Sequence, residues 1–468
     1  MFFTLVLSSF VILSAIFTNK FLKELGIPSL LFFLILGMLF GINGVIRFDY
    51  SDFLQTKELL SIALGFIIFY GGFCTNWKTA KSALLKAAIL STLGVLFSAI
   101  LVGIFCFYIL HLQLLESFLI GAVIGSTDAA SVFSILKSKR LHLKEHTGPL
   151  LELESGSNDP MSYVLVILAI TLMLGNSTKF VAILFFKQMI FGIITGVLIA
   201  KIAIFIFQKT GIITDGNDSL FVIALVLLTY SLPEIYEGNP FLAVYFLGII
   251  LGNARVENKV SMMNFFDGIT KLAQIGIFFT LGLLAIPGKV FSIMITGGLI
   301  FLFLTFIARP LVVYMLMKPF KSSMGQNLLV AWAGLRGVAS IVFAIIATDS
   351  GIDLEYDLFH LVFLISVLSV AFQGTFLPWV AKITKMIDYN IDIRKTFNDY
   401  QEECAIKFVR ITVPTKHQWI GKKIRDINFP NNLLALYIKR GRKKILPNNS
   451  TKIKEGDRIT LASPTEDL

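Results

Sequence analysis

The chain has 468 residues, of which 56% are hydrophobic and only 15% are charged, with a mean hydropathy of +0.79 and a formal net charge of +11. A soluble chain carries about a quarter charged residues, and the three cysteines are odd in number and scattered. This composition excludes a purely soluble enzyme, a disordered or fibrous protein and a disulfide-stapled secreted scaffold, and it indicates an integral membrane protein.

Apolar runs long enough to cross about 30 Å of hydrocarbon predict about thirteen transmembrane helices. In chain order these runs centre on residues 3–18, 27–46, 59–74, 83–110, 115–136, 149–174, 180–208, 219–232, 240–252, 269–286, 290–317, 326–347 and 358–383. They are numbered below as spans 1 to 13. Together they predict a membrane domain over residues 1–383.

The links between the spans predict the orientation of the chain, because cytoplasmic links are enriched in Lys and Arg. One alternating set of links holds 14 basic residues, whereas the other holds only Arg47, Lys57, Lys179 and Lys289. We therefore expect the basic set to be cytoplasmic in a cell inner (plasma) membrane. With thirteen spans, the N-terminus then lies outside and the C-terminal segment lies inside.

The composition changes after span 13. Residues 384–402 are predicted to be a polar linker, and residues 403–468 a small α+β domain with strands near 405–413, 433–440 and 458–463 and a short helix over 419–427. This domain carries 14 Lys and Arg against 6 Asp and Glu. Its basic surface suits a nucleotide or cyclic dinucleotide, anionic lipid headgroups, or simply solvent. The aromatic residues are mostly Phe within the spans, so nucleic acid is not an expected partner.

Span 5 is interrupted by GSTDAASVF, residues 125–133. Ser126, Thr127 and Asp128 compete with the helix for backbone hydrogen bonds. A broken helix at this point would expose carbonyl groups and two helix ends, which is how transporters build ion sites near the middle of the membrane. The alternative is an intact helix whose Asp is hydrogen-bonded to a partner.

Span 6 carries a polar cluster, ELESGSNDPMS, over residues 152–162. A helix that begins near residue 149 places Asp159 about 15 Å along its axis, half the hydrocarbon thickness. Ser155 shares one helix face with Asp159, and Glu154 shares a neighbouring face with Asn158. Burial favours the neutral form of a carboxyl group, so Asp159 can hold a proton near neutral pH or release it to a bound cation. One group that serves both ions would couple their movements.

Span 12 contains AWAGLRG, residues 331–337, in which Arg336 is the only charge. An unpaired guanidinium is very costly in a membrane, so Arg336 needs a carboxylate. Glu154 is the predicted partner, because this pairing leaves Asp159 free for exchange. Arg309 in span 11 is a weaker candidate that could neutralise the ends of a broken helix. No resident metal ion is expected, because His142 and His146, four residues apart, have no Cys or acidic ligands nearby. No cofactor is expected, because the sequence contains no phosphate-binding loop or dinucleotide fingerprint.

The motifs STDAASVF, ELESGSNDPMS and AWAGLRG, in this order and on separate spans, resemble those of the monovalent cation–proton antiporters. Within that family the chain is similar to the cell-volume-regulation-type potassium–proton group. The segments WIGKKIRDINFP and IKRGRKKILPNNSTKIKEGDRITL resemble a TrkA-C regulatory domain. The resemblance covers essentially the whole membrane part and implies a transporter rather than an enzyme.

The resemblance also implies a structure and roles for particular residues. It implies an all-α membrane domain with two inverted repeats, crossed broken helices in spans 5 and 12, and a homodimer. Asp159 would bind the K⁺ or Na⁺ and the proton, and Asn158 beside it, in place of a second Asp, points to electroneutral exchange. The other implied assignments are Ser155, Thr127 and Asp128 at the cation site and a structural ion pair between Glu154 and Arg336.

The sequence departs from this family at two places. Tyr70 replaces the acidic residue that precedes Gly-Gly in span 3 of relatives, and Val338, Ala339 and Ser340 replace the Ala-Val-Pro that often follows the arginine motif. Two other functions stay open from the sequence: a cation channel, for which no filter-like loop is found, and a membrane sensor whose tail binds a ligand.

Overall fold

The computed structural model describes residues 9–14, 17, 29–41, 44, 47, 53–139, 141–210, 217–254, 256, 258–388, 406–414, 417–427, 434–440 and 443–464. The chain divides into two compact units, Met1–Ile391 and Asp392–Leu468. Most of the predicted linker 384–402 and most of span 1 lie outside the described residues, although residues 9–14 are helical. Each unit is described by itself.

Long helices build the first unit, and twelve of the predicted spans are helical within the described residues. Spans 2 to 7 are Ser29–Phe40; Phe53–Cys74; Leu84–Ile89, Leu90–Gly94 and Val95–Ile109; Leu114–Val123 and Ala129–Ser138; Thr147–Met173; and Thr178–Phe205 with Ile206–Thr210. Spans 8 to 10 are Asp218–Ser231 with Leu232–Tyr236, Pro240–Asn253 and Lys259–Leu284. Span 11 consists of Met294–Phe303, Leu304–Ala308 and Arg309–Met317. Span 12 consists of Met324–Trp332 and Val338–Thr348. Span 13 consists of Leu358–Leu368, Ser369–Gly374 and Thr375–Ile383. Short helices at Trp77–Ala80, Pro287–Ser292 and Lys318–Phe320 lie in the links.

Eight of these helices are long and apolar enough to cross a membrane by themselves, and four shorter apolar helices accompany them. Two of the shorter ones, Leu114–Val123 and Val338–Thr348, belong to spans 5 and 12, whose helices are each in two pieces. The prediction of a polytopic helical protein with two broken helices is therefore confirmed. The bilayer has no water to satisfy a freed backbone group, so both breaks must find partners inside the protein.

Two closely packed helix pairs follow the pattern expected of two repeats in which each span corresponds to the one seven positions later. Span 2 packs on span 10, and span 3 packs on span 9. Because spans 2 and 3 correspond to spans 9 and 10, the second pair repeats the first with the two repeats exchanged. Glycine permits each close approach: a Cβ on Gly282 would lie 2.2 Å from the Leu34 carbonyl oxygen, and one on Gly248 would lie 2.3 Å from that of Phe69. Small residues at helix crossings are the usual means of close packing in membranes.

The second unit contains a four-stranded antiparallel sheet within the described residues, with strands β1 (Ile406–Thr412), β2 (Leu434–Arg440), β3 (Lys443–Ile445) and β4 (Arg458–Pro464) in the order β1-β4-β2-β3. The predicted strands are present. The predicted helix over 419–427 is wrong, because only Ile424–Asp426 forms one turn of 3₁₀-helix. The backbone amides of Gly421 and Ile424 donate to the carbonyl oxygens of Ile453 and Thr451, in the segment before β4. These two amides are therefore not available for hydrogen bonds within a helix.

One buried carboxylate organises the turn before β4. Asp457 is fully buried and accepts two hydrogen bonds of 2.7 Å from the Arg440 guanidinium and one of 2.8 Å from the Lys454 backbone amide. Burial disfavours the charged form, but the Arg440 fork and the Lys454 amide outweigh it and hold the pKa of Asp457 below its usual range. Its contribution to stability is therefore present above the pKa of an unfolded Asp and is lost as the pH falls through the lower folded pKa.

Candidate functional site

The breaks in spans 5 and 12 cross each other and are in direct contact. The first break, residues 124–128, separates Leu114–Val123 from Ala129–Ser138, and the second, residues 333–337, separates Met324–Trp332 from Val338–Thr348. The Asp128 amide donates a 2.7 Å hydrogen bond to the Leu335 carbonyl oxygen. A Cβ on Gly337 would lie 2.5 Å from the Cβ of Asp128, so only glycine permits this crossing.

Asp159 lies beside the first break, near the middle of span 6. Its helix begins at Thr147, which places Asp159 about 18 Å along a helix of 27 residues. The Asp159 carboxylate accepts a hydrogen bond from the Ser126 hydroxyl and keeps part of its surface accessible. Pro160 follows within the helix and has no amide hydrogen to donate to the Gly156 carbonyl. A carboxylate near the middle of its helix, beside backbone groups that lack helical hydrogen bonds, is an arrangement that can hold a cation or a proton.

Three predicted site residues meet on the backbone of the first break. The Ser155 hydroxyl donates a 2.6 Å hydrogen bond to the Thr127 carbonyl oxygen. The Asn158 amide nitrogen donates to the Thr127 hydroxyl at 2.5 Å, and the Thr127 amide donates back to the Asn158 side-chain oxygen at 3.3 Å. Asn158 and Thr127 thus satisfy each other. The structure brings Thr127, Ser155 and Asn158 together beside Asp159, as the sequence predicts.

The predicted ion pair between Glu154 and Arg336 is not formed. Glu154 instead accepts a 2.8 Å hydrogen bond from the Arg309 guanidinium in span 11, and both side chains are almost wholly buried. The Asn158 amide also donates to Glu154 at 3.3 Å. The partner that the sequence treats as the weaker candidate is therefore the one that neutralises Glu154.

Arg336 neutralises the end of the broken helix. Its guanidinium donates hydrogen bonds of 2.8 Å to the carbonyl oxygens of both Gly125 and Ser126, where the first half-helix of span 5 stops. Carbonyl groups without partners gather at a helix C-terminus and carry a partial negative charge. Arg336 therefore has a partner without a carboxylate, which is why the expected pairing does not arise. The two arginines have exchanged the roles that the sequence predicts for them.

Asp128 caps the second half-helix of span 5. Its carboxylate accepts a 3.1 Å hydrogen bond from the Ser131 amide and a 2.5 Å hydrogen bond from the Ser131 hydroxyl. This is the geometry of an N-cap, which satisfies amide groups that a helix start leaves open. Both carboxylate oxygens are thus engaged in capping, which supports a structural role more than direct contact with a cation.

Sequence reasoning missed one residue of the site and the partner of another. The sequence predicts Ser126 only as part of the break, whereas its hydroxyl binds Asp159; its position next to Thr127 is the available signal. The Tyr70 hydroxyl, in span 3, donates a 3.2 Å hydrogen bond to Asp267 in span 10. Tyr70 therefore contacts a carboxylate from another span, which sequence spacing does not reveal.

Crossed broken helices, a carboxylate near the middle of span 6 and an arginine that neutralises a helix end are the features of a secondary transporter of ions. The family described as sodium/hydrogen exchanger, transmembrane, matches residues 8–383, and the TrkA-C domain matches residues 408–468. The chain belongs to the sodium/hydrogen exchanger family and ends in a TrkA-C domain.

Named relatives and solved structures agree with this assignment. The chain is 31% identical to the K(+)/H(+) antiporter NhaP of Alkalimonas amylolytica, over 99% of this chain and 82% of the relative. It is also 31% identical to the K(+)/H(+) antiporter NhaP2 of Shewanella sp. (strain MR-4), over 95% of this chain and 78% of the relative. The sodium proton antiporter MjNhaP1 from Methanocaldococcus jannaschii shares the fold, with a TM-score of 0.71 at 23% identity over 81% of this chain and 98% of that chain.

Proposed function

We propose that the chain exchanges K⁺ for H⁺ across the membrane in a one-to-one ratio, with both ions competing for Asp159. The observation that carries this proposal is the placement of Asp159 in mid-membrane, against the Ser126 hydroxyl of a broken helix. Loaded with either ion, the carboxylate is neutral and can change its exposure from one side to the other. Without an ion it is charged, and moving it through a low-dielectric interior is costly.

The other charges around Asp159 support an electroneutral cycle. Glu154 is paired with Arg309, and the remaining arginine and acid of the crossing are Arg336 and Asp128. These four formal charges cancel, and Asn158 adds none. The site is therefore neutral when Asp159 carries a proton and equally neutral when it carries a monovalent cation. Neither loaded form then moves net charge through the membrane.

The first prediction concerns the transported ion, for which the named relatives at 31% identity favour K⁺. In everted vesicles that hold a pH gradient, K⁺ is expected to dissipate the gradient at a rate that does not change when the membrane potential is clamped at different values. The measurement is the recovery of a pH-sensitive dye after addition of K⁺, Na⁺ or Li⁺. A response to Na⁺ and Li⁺ alone would refute potassium selectivity, and a rate that depends on membrane potential would refute electroneutrality.

Orientation and assembly complete the proposal. The excess of basic residues in one set of links favours a cytoplasmic C-terminus and an external N-terminus. A homodimer, and a part in cell-volume and pH homeostasis, follow from the resemblance to the potassium–proton group. The C-terminal unit would bind a nucleotide or cyclic dinucleotide through its basic surface, since residues 403–468 contain 14 basic and only 6 acidic residues. Saturable binding of such a ligand to the full chain would test this assignment.

We also propose that the C-terminal unit regulates exchange through the segment that leaves span 13. Leu143 and Ile387 form an antiparallel bridge, flanked by hydrogen bonds of 2.8 Å from Lys144 to Met386 and from Asp388 to His142. This bridge, residues 142–144 with 386–388, connects the link between spans 5 and 6 to the last described residues before the second unit. That link joins the broken helix of span 5 to the helix of Asp159, so a displacement of the bridge would move the adjoining ends of both helices.

The second prediction tests this bridge. Removal of the chain after residue 391 is expected to shift the pH at which exchange is half-maximal, and Asp388→Pro in the full chain is expected to shift it in the same direction. Proline removes the amide that donates to the His142 carbonyl. Asp388→Ala is the matched control, since it removes the same side chain but keeps that amide, and it should shift the pH of half-maximal exchange less than Asp388→Pro does. If the truncated chain keeps the wild-type pH profile, regulation by the tail is refuted; if truncation alone shifts it, coupling through the bridge is refuted.

A further inference from the structure

The break in span 12 leaves backbone groups that the helix itself cannot satisfy. Met324–Trp332 ends and Val338–Thr348 begins on either side of residues 333–337. The Trp332 carbonyl and the Arg336 amide lie at this gap. Helix ends always leave such groups open, and within a membrane they need partners from another span.

Span 13 supplies these partners from a segment of π-helix, Ser369–Gly374. The Ser369 hydroxyl accepts a 2.9 Å hydrogen bond from the Arg336 amide, and the Gln373 side-chain nitrogen donates a 3.2 Å hydrogen bond to the Trp332 carbonyl oxygen. The two side chains are joined by a 2.5 Å hydrogen bond from Ser369 to Gln373, and both are buried. The Trp332 indole also donates to the Gln373 carbonyl at 3.0 Å. We call Ser369 and Gln373 the span 13 clamp.

The clamp connects to the proposed ion site through one residue. Its bond to the Arg336 amide fixes the backbone from which the guanidinium reaches the Gly125 and Ser126 carbonyls. Ser126 in turn presents its hydroxyl to Asp159. Short π-helical segments inside α-helices occur often at functional sites. Here the segment places two polar side chains, four residues apart, against the break in span 12.

We propose that Ser369 and Gln373 are positioning residues for cation–proton exchange. They hold Arg336, and through it Ser126, so that Asp159 keeps its affinity for the cation and the proton. The proposal rests on the proposed role of Asp159 as the exchange site. A purely structural clamp would change only the amount of folded protein, whereas a positioning clamp changes the apparent affinity of the site.

The test measures the apparent KM for the transported cation and the pH of half-maximal exchange in vesicles containing the full chain. Ser369→Ala removes the hydrogen bonds to the Arg336 amide and to Gln373. It is expected to raise the apparent KM about fivefold, the effect on the site of losing the bond to Arg336, and to move the pH of half-maximal exchange. Gln373→Leu is expected to move both quantities in the same direction. Ser369→Thr keeps a hydroxyl and should restore the wild-type values.

Ser366 provides a matched control in the same helix. Its hydroxyl is buried and has no hydrogen-bond partner within the described residues, so Ser366→Ala should leave the KM and the pH profile unchanged. The clamp proposal is overturned if Ser369→Ala and Gln373→Leu reduce only the maximal rate or the protein yield. If Gln373→Leu does not reach the membrane, the milder Ser369→Ala decides. Exchange that survives Asp159→Asn would instead refute the proposed function, so the two failures can be told apart.

Discussion

Asp159→Asn is expected to reduce cation-dependent dissipation of a pH gradient to the background of vesicles without the protein. An asparagine carries no charge to attract the cation and no group that accepts a proton near neutral pH. Its side-chain oxygen can still accept the hydrogen bond from Ser126, so the helix crossing should be retained. The measurement compares exchange rates for K⁺ and Na⁺ with the amount and thermal unfolding of the purified protein.

Asp128→Asn is the matched control for this prediction, because it makes the same change in the same crossing. Asparagine is as good an N-cap as aspartate, and Asp128 uses its carboxylate to cap Ala129–Ser138 through Ser131. We therefore expect Asp128→Asn to keep most of the exchange activity. Substantial exchange by Asp159→Asn would refute the proposed mechanism. Complete loss in Asp128→Asn, with a folded protein, would return Asp128 to the cation site.

Glu154→Ala is expected to destabilise the protein by roughly 3–5 kcal/mol, because removing one partner of a buried ion pair leaves an uncompensated charge. The stranded group would be Arg309, which is 2.8 Å from Glu154 and almost fully buried. Arg309→Ala should be similarly damaging, since it strands Glu154 instead. The measurement is the unfolding temperature of the purified protein together with its yield from membranes.

Two comparisons make this prediction specific. The double variant Glu154→Gln with Arg309→Gln should recover much of the loss, whereas Glu154→Gln with Arg336→Gln should not, because Arg336 binds backbone carbonyls instead of Glu154. Lys187→Ala is the control for an exposed pair: Lys187 contacts Glu237 at 2.6 Å with both side chains about half-exposed, and such pairs are worth about 0–1 kcal/mol. Recovery of stability in the double variant with Arg336→Gln, and not in the one with Arg309→Gln, would contradict the ion pair between Glu154 and Arg309.

The structure confirms those predictions that depend on local composition. Long apolar runs specify spans because only a helix satisfies its own backbone in lipid. The GSTD segment of span 5 predicts a break because small and polar residues weaken a helix locally, whereas the break in span 12 is implied by the family resemblance. The strands of the second unit follow from alternation, whereas the helix expected over 419–427 is wrong. The backbone of this segment is hydrogen-bonded to residues 451 and 453 of the same chain, just before β4, and the local sequence does not encode that contact.

The position of Asp159 near the middle of the span 6 helix is also a consequence of the sequence, because helix rise is constant and the start of span 6 is marked by its composition. The sequence does not, however, determine which of two arginines pairs with Glu154. Arg309 and Arg336 lie 155 and 182 positions from Glu154, each inside a long apolar run of the sequence, and no spacing rule ranks them.

Tertiary structure decides that choice by bringing the C-terminal end of a half-helix, with its open carbonyl groups, against Arg336. It likewise brings Ser369 and Gln373 of span 13 to the break in span 12, and Asp267 of span 10 to Tyr70 of span 3. The sequence by itself determined the class of protein, the helical spans 2 to 13, the break in span 5 and the carboxylate near the middle of span 6, since each depends on neighbours in the chain. Only the tertiary structure decided which charges and backbone groups satisfy one another, because those partners come from helices distant in sequence.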